Sequence, residues 1–176
     1  IVEVKEEQIS KEKQIELLTK ESQELMDDCK VKRNDHKSIN EVINNFDIAA
    51  LKEKRKQIED NESKLDSTNQ VIEQQEYRLI QNKNKVKLLL EVPCGDEFSS
   101  CKFIKDAYNA QSSLCVIEQN LKELREDSEK IFSEIEKLDP TAVEKKIKKY
   151  EEVLEMREEI WNTISRNEVV IEKNES

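Results

Sequence analysis

One glycine and two prolines serve a chain of 176 residues, and all three fall at only two places. Compact domains reverse direction roughly every ten to twenty residues, and tight reversals draw on the free φ of Gly and the fixed φ of Pro. Three such residues cannot supply the turns of a β-sandwich, a doubly wound α/β sheet or a compact enzyme. Charged residues make up 40% of the chain, a level that disorder also reaches. Leu, Ile and Val nevertheless recur here at regular spacing, which disordered polar tails lack. The pattern predicts an all-α fold: a long antiparallel coiled-coil hairpin with an apical loop.

The apex is set by Glu91-Val92-Pro93-Cys94-Gly95-Asp96-Glu97-Phe98-Ser99-Ser100-Cys101, the one stretch that combines Pro, Gly, Asp and paired Ser. Pro93 lacks an N–H and biases Val92 away from the helical region, and Gly95 offers the positive φ that a tight turn uses. The second signal is Leu138-Asp139-Pro140, in which Asp139 is an N-cap and Pro140 the first residue of a new helix.

Between these signals the apolar residues step by threes and fours. After the apex they run Ile117, Leu121, Leu124, Ser128, Ile131, Ile135, Leu138, Ala142, then resume one residue later as Val143, Ile147, Tyr150, Leu154, Arg157, Trp161, Ile164. Before it they run Ile15, Leu18, Ser22, Leu25, Cys29, Lys32, His36, Ile39, Ile43, Phe46, Ala50. There too the register slips by one, and Leu51, Ile58, Leu65, Ile72, Leu79 and Val86 follow every seven residues. A repeat near 3.5 held this long marks a left-handed coiled coil. The companion positions of the last series, Lys54, Asn61, Thr68, Gln75 and Asn82, are polar, so that seam is thin in apolar area. The two slips lie at similar distances from the apex and would face each other in a hairpin, with Asp47 capping the helix restarted opposite Asp139. The expected segments are an outer arm over 1–46, an interruption at 47–50, an inner arm over 51–90 and a loop over 91–101. The returning inner arm covers 102–138, with an interruption at 139–142 and an outer arm over 143–176.

Thirty basic residues against forty acidic ones leave a net charge of −10. A surface this acidic repels phosphate backbones and anionic membranes. No apolar run approaches the length of a membrane span. The ends lack a Met start, a signal peptide and helix terminators, which reads as an excised middle of a longer protein. Four scattered cysteines do not resemble a secreted disulfide framework, and a cytoplasmic setting is expected.

A cysteine pair on a loop crowning two coiled-coil arms is the layout of a zinc hook. Through Val92-Pro93-Cys94-Gly95-Asp96-Glu97-Phe98-Ser99-Ser100-Cys101-Lys102-Phe103-Ile104-Lys105-Asp106-Ala107 the sequence resembles the Rad50/SbcC family of DNA-repair ATPases, especially its phage-encoded members. The resemblance covers under a tenth of the chain; elsewhere the arms match only in kind. It implies that Cys94 and Cys101 join the same pair of a second chain around one Zn²⁺, as a homodimer, with Phe98, Phe103 and Ile104 supporting the contact. It also implies ATP, Mg²⁺ and DNA binding by heads that this segment lacks, an Mre11/SbcD-like nuclease partner, and a bacterial host cytoplasm for a phage protein. The spacing departs from the family, whose hook is Cys-x-x-Cys with Pro after the first Cys. Here six residues separate the thiols and the Pro precedes them.

The residues themselves leave alternatives open. The loop thiols suit an internal disulfide or no metal at all, and Phe103 and Ile104 equally suit capping of the intrachain coil. Two thiols are too few for a closed structural zinc, which takes four ligands, so a metal here calls for two chains. Leu88, Leu89 and Leu90 are expected to close the top of the hairpin. Cys29, Cys115, His36, Tyr150 and Trp161 read as packed seam or half-buried residues. The acidic runs Glu151-Glu152 and Glu158-Glu159 read as solvated faces. No nucleophile–base pair can be assembled, and a Walker A loop needs more glycine than the chain has, so no enzyme is expected in this segment. The competing functional reading is a structural coiled-coil hairpin of another SMC-like or scaffold protein, its loop cysteines without a metal role.

Overall fold

The computed structural model describes residues 2–92 and 101–176, with the side chains of residues 2–4 and 103 excepted. The chain is all-α, and the described residues contain no strand. Four helices follow in order: α1 (Val2–Asn44), α2 (Ile48–Glu91), α3 (Lys102–Leu138) and α4 (Pro140–Glu175). They make two compact units, one of Ile1–Lys52 with Glu144–Ser176 and one of Glu53–Val143.

In the first unit α1 and α4 run antiparallel. Glu21 accepts a hydrogen bond from Asn174, Asp28 from Asn167 and Asn40 from Arg157, so the partner steps back along α4 as α1 advances. Arg33 pairs with Glu168, and the Phe46 ring meets Tyr150 edge-on at 5.5 Å. The interior holds Ser22, Cys29, Ile147 and Ile164, all on the expected stripe. Ile15, a stripe position past the Glu21–Asn174 contact, is 63% exposed.

In the second unit α2 and α3 are antiparallel as well. Ser128 donates to Asn69 and Asn82 to Ser113, each at 3.0 Å. Glu76 pairs with Arg125 at 2.6 Å and Glu118 with Lys83 at 3.1 Å. The two helices share the burial unequally. Only Ile58 of α2 is fully buried, whereas α3 buries Ile104, Ala107, Ala110, Ile117, Leu121 and Ile135. The cause is the polar companion column: Asn61, Thr68, Gln75 and Asn82 face the seam half-buried and take the place of apolar area. No side-chain N or O atom buried among the described residues lacks a hydrogen-bond partner, so that column is tolerated at the cost of apolar burial alone.

Helix ends are decided by two aspartates. α1 closes at Asn44 as Phe46 N–H donates to Ile43 at 3.1 Å, and Asp47 then accepts from the Ala50 N–H at 3.1 Å to start α2. Asp139 does both tasks in one residue. Its φ of 52° ends α3 in the left-handed conformation, with its N–H on the Glu136 carbonyl, while its carboxylate accepts from the Ala142 N–H at 3.1 Å. Pro140 begins α4 with no N–H to leave unsatisfied. After each break the seam resumes one residue later, at half-buried Leu51 and at buried Val143.

Three expectations are corrected. Leu89 faces the seam half-buried, but Leu88 and Leu90 are exposed, the latter at 87%. Three consecutive residues on a helix cover more than half its circumference, so only the one in phase with Val86 turns inward. Cys115 is exposed because it lies one position past half-buried Leu114 and two before buried Ile117, off their stripe. Trp161 holds a seam position yet is 54% exposed, since a two-helix layer cannot enclose an indole.

Asp139 provides a direct test of the double cap. Asp139→Ala loses the cap and places a β-carbon without a side-chain acceptor at positive φ, which should lower the unfolding free energy by about 2 kcal/mol. Asp139→Asn keeps both properties and should cost only about 0.3 kcal/mol. Urea unfolding followed by circular dichroism measures both, and equal losses would contradict the double role.

Candidate functional site

The second unit closes toward the cysteine loop. α2 ends at Glu91 and the Val92 N–H still donates to Leu88 at 3.2 Å; α3 begins at Lys102. Cys101 is the residue at the base of the loop. It occupies the N-cap of α3 with an extended backbone, φ −62° and ψ 128°. Its carbonyl accepts from the Ile104 N–H at 3.1 Å and the Lys105 N–H at 2.9 Å, so the peptide group opens the helix. The side chain does no capping: the thiol makes no cap hydrogen bond, is half-buried and is not part of a disulfide. Ser, Asp or Asn at this place would bond the free N–H groups of the first turn. Cys at an N-cap leaves that task undone and keeps its sulfur available.

Directly inside the loop, Ile104, Ala107 and Ala110 are buried. Burial of Ile104 agrees with its reading as a cap of the intrachain coil; Ala107 and Ala110 escape a reading of the sequence, because alanine carries little hydrophobic signal and the spacing there is in threes. Small side chains at two successive inward positions let the paired helices approach closely. Ile104 is 3% exposed, so its surface is already used within the chain. Lys102 and Lys105 point outward and are exposed. Cys94 and Phe98 lie outside the described residues, as does the side chain of Phe103.

The other cysteines sit far from this loop in kind. Cys29 is 2% exposed, with its sulfur 4.0 Å from the Ile164 carbonyl, a packed thiol in the first unit. His36, seven residues on, is half-buried with its ring centroid 5.4 Å from that of Trp161. Asn40 links it to Arg157: Asn40 Oδ1 accepts from Arg157 at 3.4 Å and its amide lies 3.2 Å from His36 Nδ1. Leu154 and Glu158 complete an open groove of about 500 Å³ beside the rings. Among the described residues no three His, Cys, Asp or Glu side chains gather as a metal-binding group. No described helix is long and apolar enough to cross a membrane.

No family model matches the chain, and neither the curated proteins nor the solved structures include a significant match to it.

The three described thiols differ enough in exposure to be told apart chemically. In a Cys94→Ser chain, Cys115 should be alkylated first, half-buried Cys101 later, and Cys29 only on unfolding. Timed alkylation with peptide mapping measures the order; reaction of Cys29 alongside Cys115 in the folded protein would contradict the packing of α1 on α4.

Proposed function

We propose that this chain is a dimerisation segment, a coiled-coil arm whose apical loop links two molecules through a zinc ion held by Cys94 and Cys101 of each. The observation that carries the reading is the state of Cys101: a free thiol at the base of the loop, at the N-cap of α3, with no hydrogen-bonding duty there. Zinc in a structural site takes four ligands, commonly thiolates, and one chain offers two at this loop. In this reading the same pair on a second copy of the chain supplies the other two. Such a centre carries a net charge of about −2, which exposed Lys102 and Lys105 and the N-terminal end of α3 would offset. Phe98 and Phe103 are the apolar contacts proposed for the dimer; buried Ile104 supports the loop from inside its own chain.

The chemistry in this reading is structural. The zinc, when bound, supplies a cross-link between chains, and the residues of the segment hold it and set its height on the arm. By its resemblance to the Rad50/SbcC family, the segment belongs to a cytoplasmic ATPase subunit of a double-strand-break repair complex. Nucleotide, DNA and an Mre11/SbcD-like nuclease would then engage head domains elsewhere in the protein, and the segment itself would be no enzyme.

Metal analysis and light scattering test this directly. The purified chain should hold about one Zn²⁺ per two chains and dissociate on chelation. Cys94→Ser and Cys101→Ser should each abolish both the metal and the dimer while leaving helicity unchanged. A dimer indifferent to chelator and to both substitutions would replace this reading with a structural coiled coil.

A further inference from the structure

The heptad seam of the second unit does not by itself choose a register. Leu65, Ile72 and Leu79 of α2 recur every seven residues, and so do Ile117, Leu124, Ile131 and Leu138 of α3. Sliding α3 by one heptad toward the loop would lay Leu124 over Leu79 in place of Ile117, so that column keeps its apolar content, while Leu114 and Ile117 would come to the places of Ala107 and Ala110. It would also bring Asn120 to the place of Ser113 against Asn82, and that pair can still hydrogen-bond. The large apolar residues of this column therefore do not distinguish the observed alignment from its neighbours.

We infer that the two interhelical ion pairs, Glu76–Arg125 and Lys83–Glu118, are a charge code that holds α2 and α3 in one register. Both pairs flank the same side of the seam, and they stand one heptad apart on each helix. Their polarity alternates: α2 presents acid then base, and α3 presents the complement in reverse order. A slide of one heptad in one direction puts Arg125 where Glu118 was, against Lys83. A slide in the other direction puts Glu118 where Arg125 was, against Glu76. Either slip therefore exchanges an attraction for a like-charge contact. Each pair is about half exposed and weak alone. The Leu and Ile column is indifferent to the slide, so these charge terms add directly to what the small size of Ala107 and Ala110 contributes near the loop.

The consequence reaches the loop. One heptad of slip moves α3 by roughly 10 Å along α2, and Cys101 at the start of α3 moves with it. The code therefore fixes the height of that thiol on the arm. The inference stands on the ion pairs and the seam, independent of metal, and its test reads register alone.

The test is disulfide trapping in the full chain with Cys29→Ala, Cys94→Ser, Cys101→Ser and Cys115→Ser. Leu79→Cys with Ile117→Cys reports the observed register, and Leu79→Cys with Leu124→Cys reports the slipped one. Lys83→Glu replaces attraction by repulsion in the observed register and does the reverse in the slipped one. It should raise the trapping rate of the second pair roughly tenfold over the parent. Reversing the whole code with Glu76→Arg, Lys83→Glu, Glu118→Arg and Arg125→Glu restores complementarity and should return the rate to that of the parent. A rise below about threefold in Lys83→Glu would overturn the inference, given the usual strength of exposed pairs. So would a fourfold variant that traps as fast as the single one, because loosened packing rather than charge would then explain the slip.

Discussion

Scarcity of turn-forming residues governs this protein. A chain that cannot reverse often must run in long helices, and a long isolated helix with this little apolar surface is not stable in water. Each helix therefore depends on lateral contact along a narrow seam. The structure meets that requirement by pairing α1 with α4 and α2 with α3, antiparallel in both units. What burial exists is concentrated in one line of side chains per helix, and Ile164, Ile147, Leu121 and Ile117 occupy it.

A seam this narrow divides the work among residue types. Apolar residues decide that two helices associate, since burying a Leu or Ile contributes about 1.5–3 kcal/mol. Polar residues decide how they align. Asn82 with Ser113, Asn69 with Ser128 and Asp28 with Asn167 each bond across a pair and report the same antiparallel sense. Asp47 and Asp139 decide where helices stop and restart, without either adding to the buried surface. The polar column in α2 is thus a weakness in burial and a source of specificity, as single polar seam residues are in other coiled coils.

The parts legible in the sequence were those with a strong local cause. Asp139-Pro140 announces a helix start, and the structure places α4 at Pro140 with the Asp139 cap in position. The restart at Asp47 was legible because the seven-residue series beginning at Leu51 is out of phase with the one ending at Ala50. The left-handed φ of Asp139 was not, as sequence names a favourable residue type but not which of two caps it serves. Exposure proved harder than phase. Trp161 was in phase and still lies largely in solvent, because occupancy of a seam depends on side-chain volume as well as direction. Ala107 and Ala110 were overlooked for the opposite reason: small residues bury completely while contributing little to any hydrophobic pattern. At the candidate site, the placement of Cys101 beside a helix start was implied by the loop, whereas its uncapped thiol depends on a side-chain direction that the sequence does not specify.

An uncapped thiol at an N-cap is a poor local choice and therefore informative. Ser, Thr, Asp or Asn there would add about 1 kcal/mol to the start of α3, and Ser99 and Ser100 show that serine is at hand in the same stretch. The chain instead caps its other two described helix restarts with aspartate, at Asp47 and Asp139. Local stability is thus optimised where a helix merely resumes and forgone where the loop meets α3. Where a sequence departs from its own local rule, the departure favours a task that the preferred residue cannot perform. Sulfur differs from oxygen here chiefly in binding soft metals and in forming disulfides. At Cys101 the proposed zinc link would use the first of these, and the thiol stands uncapped at the base of the loop, where such a link needs it.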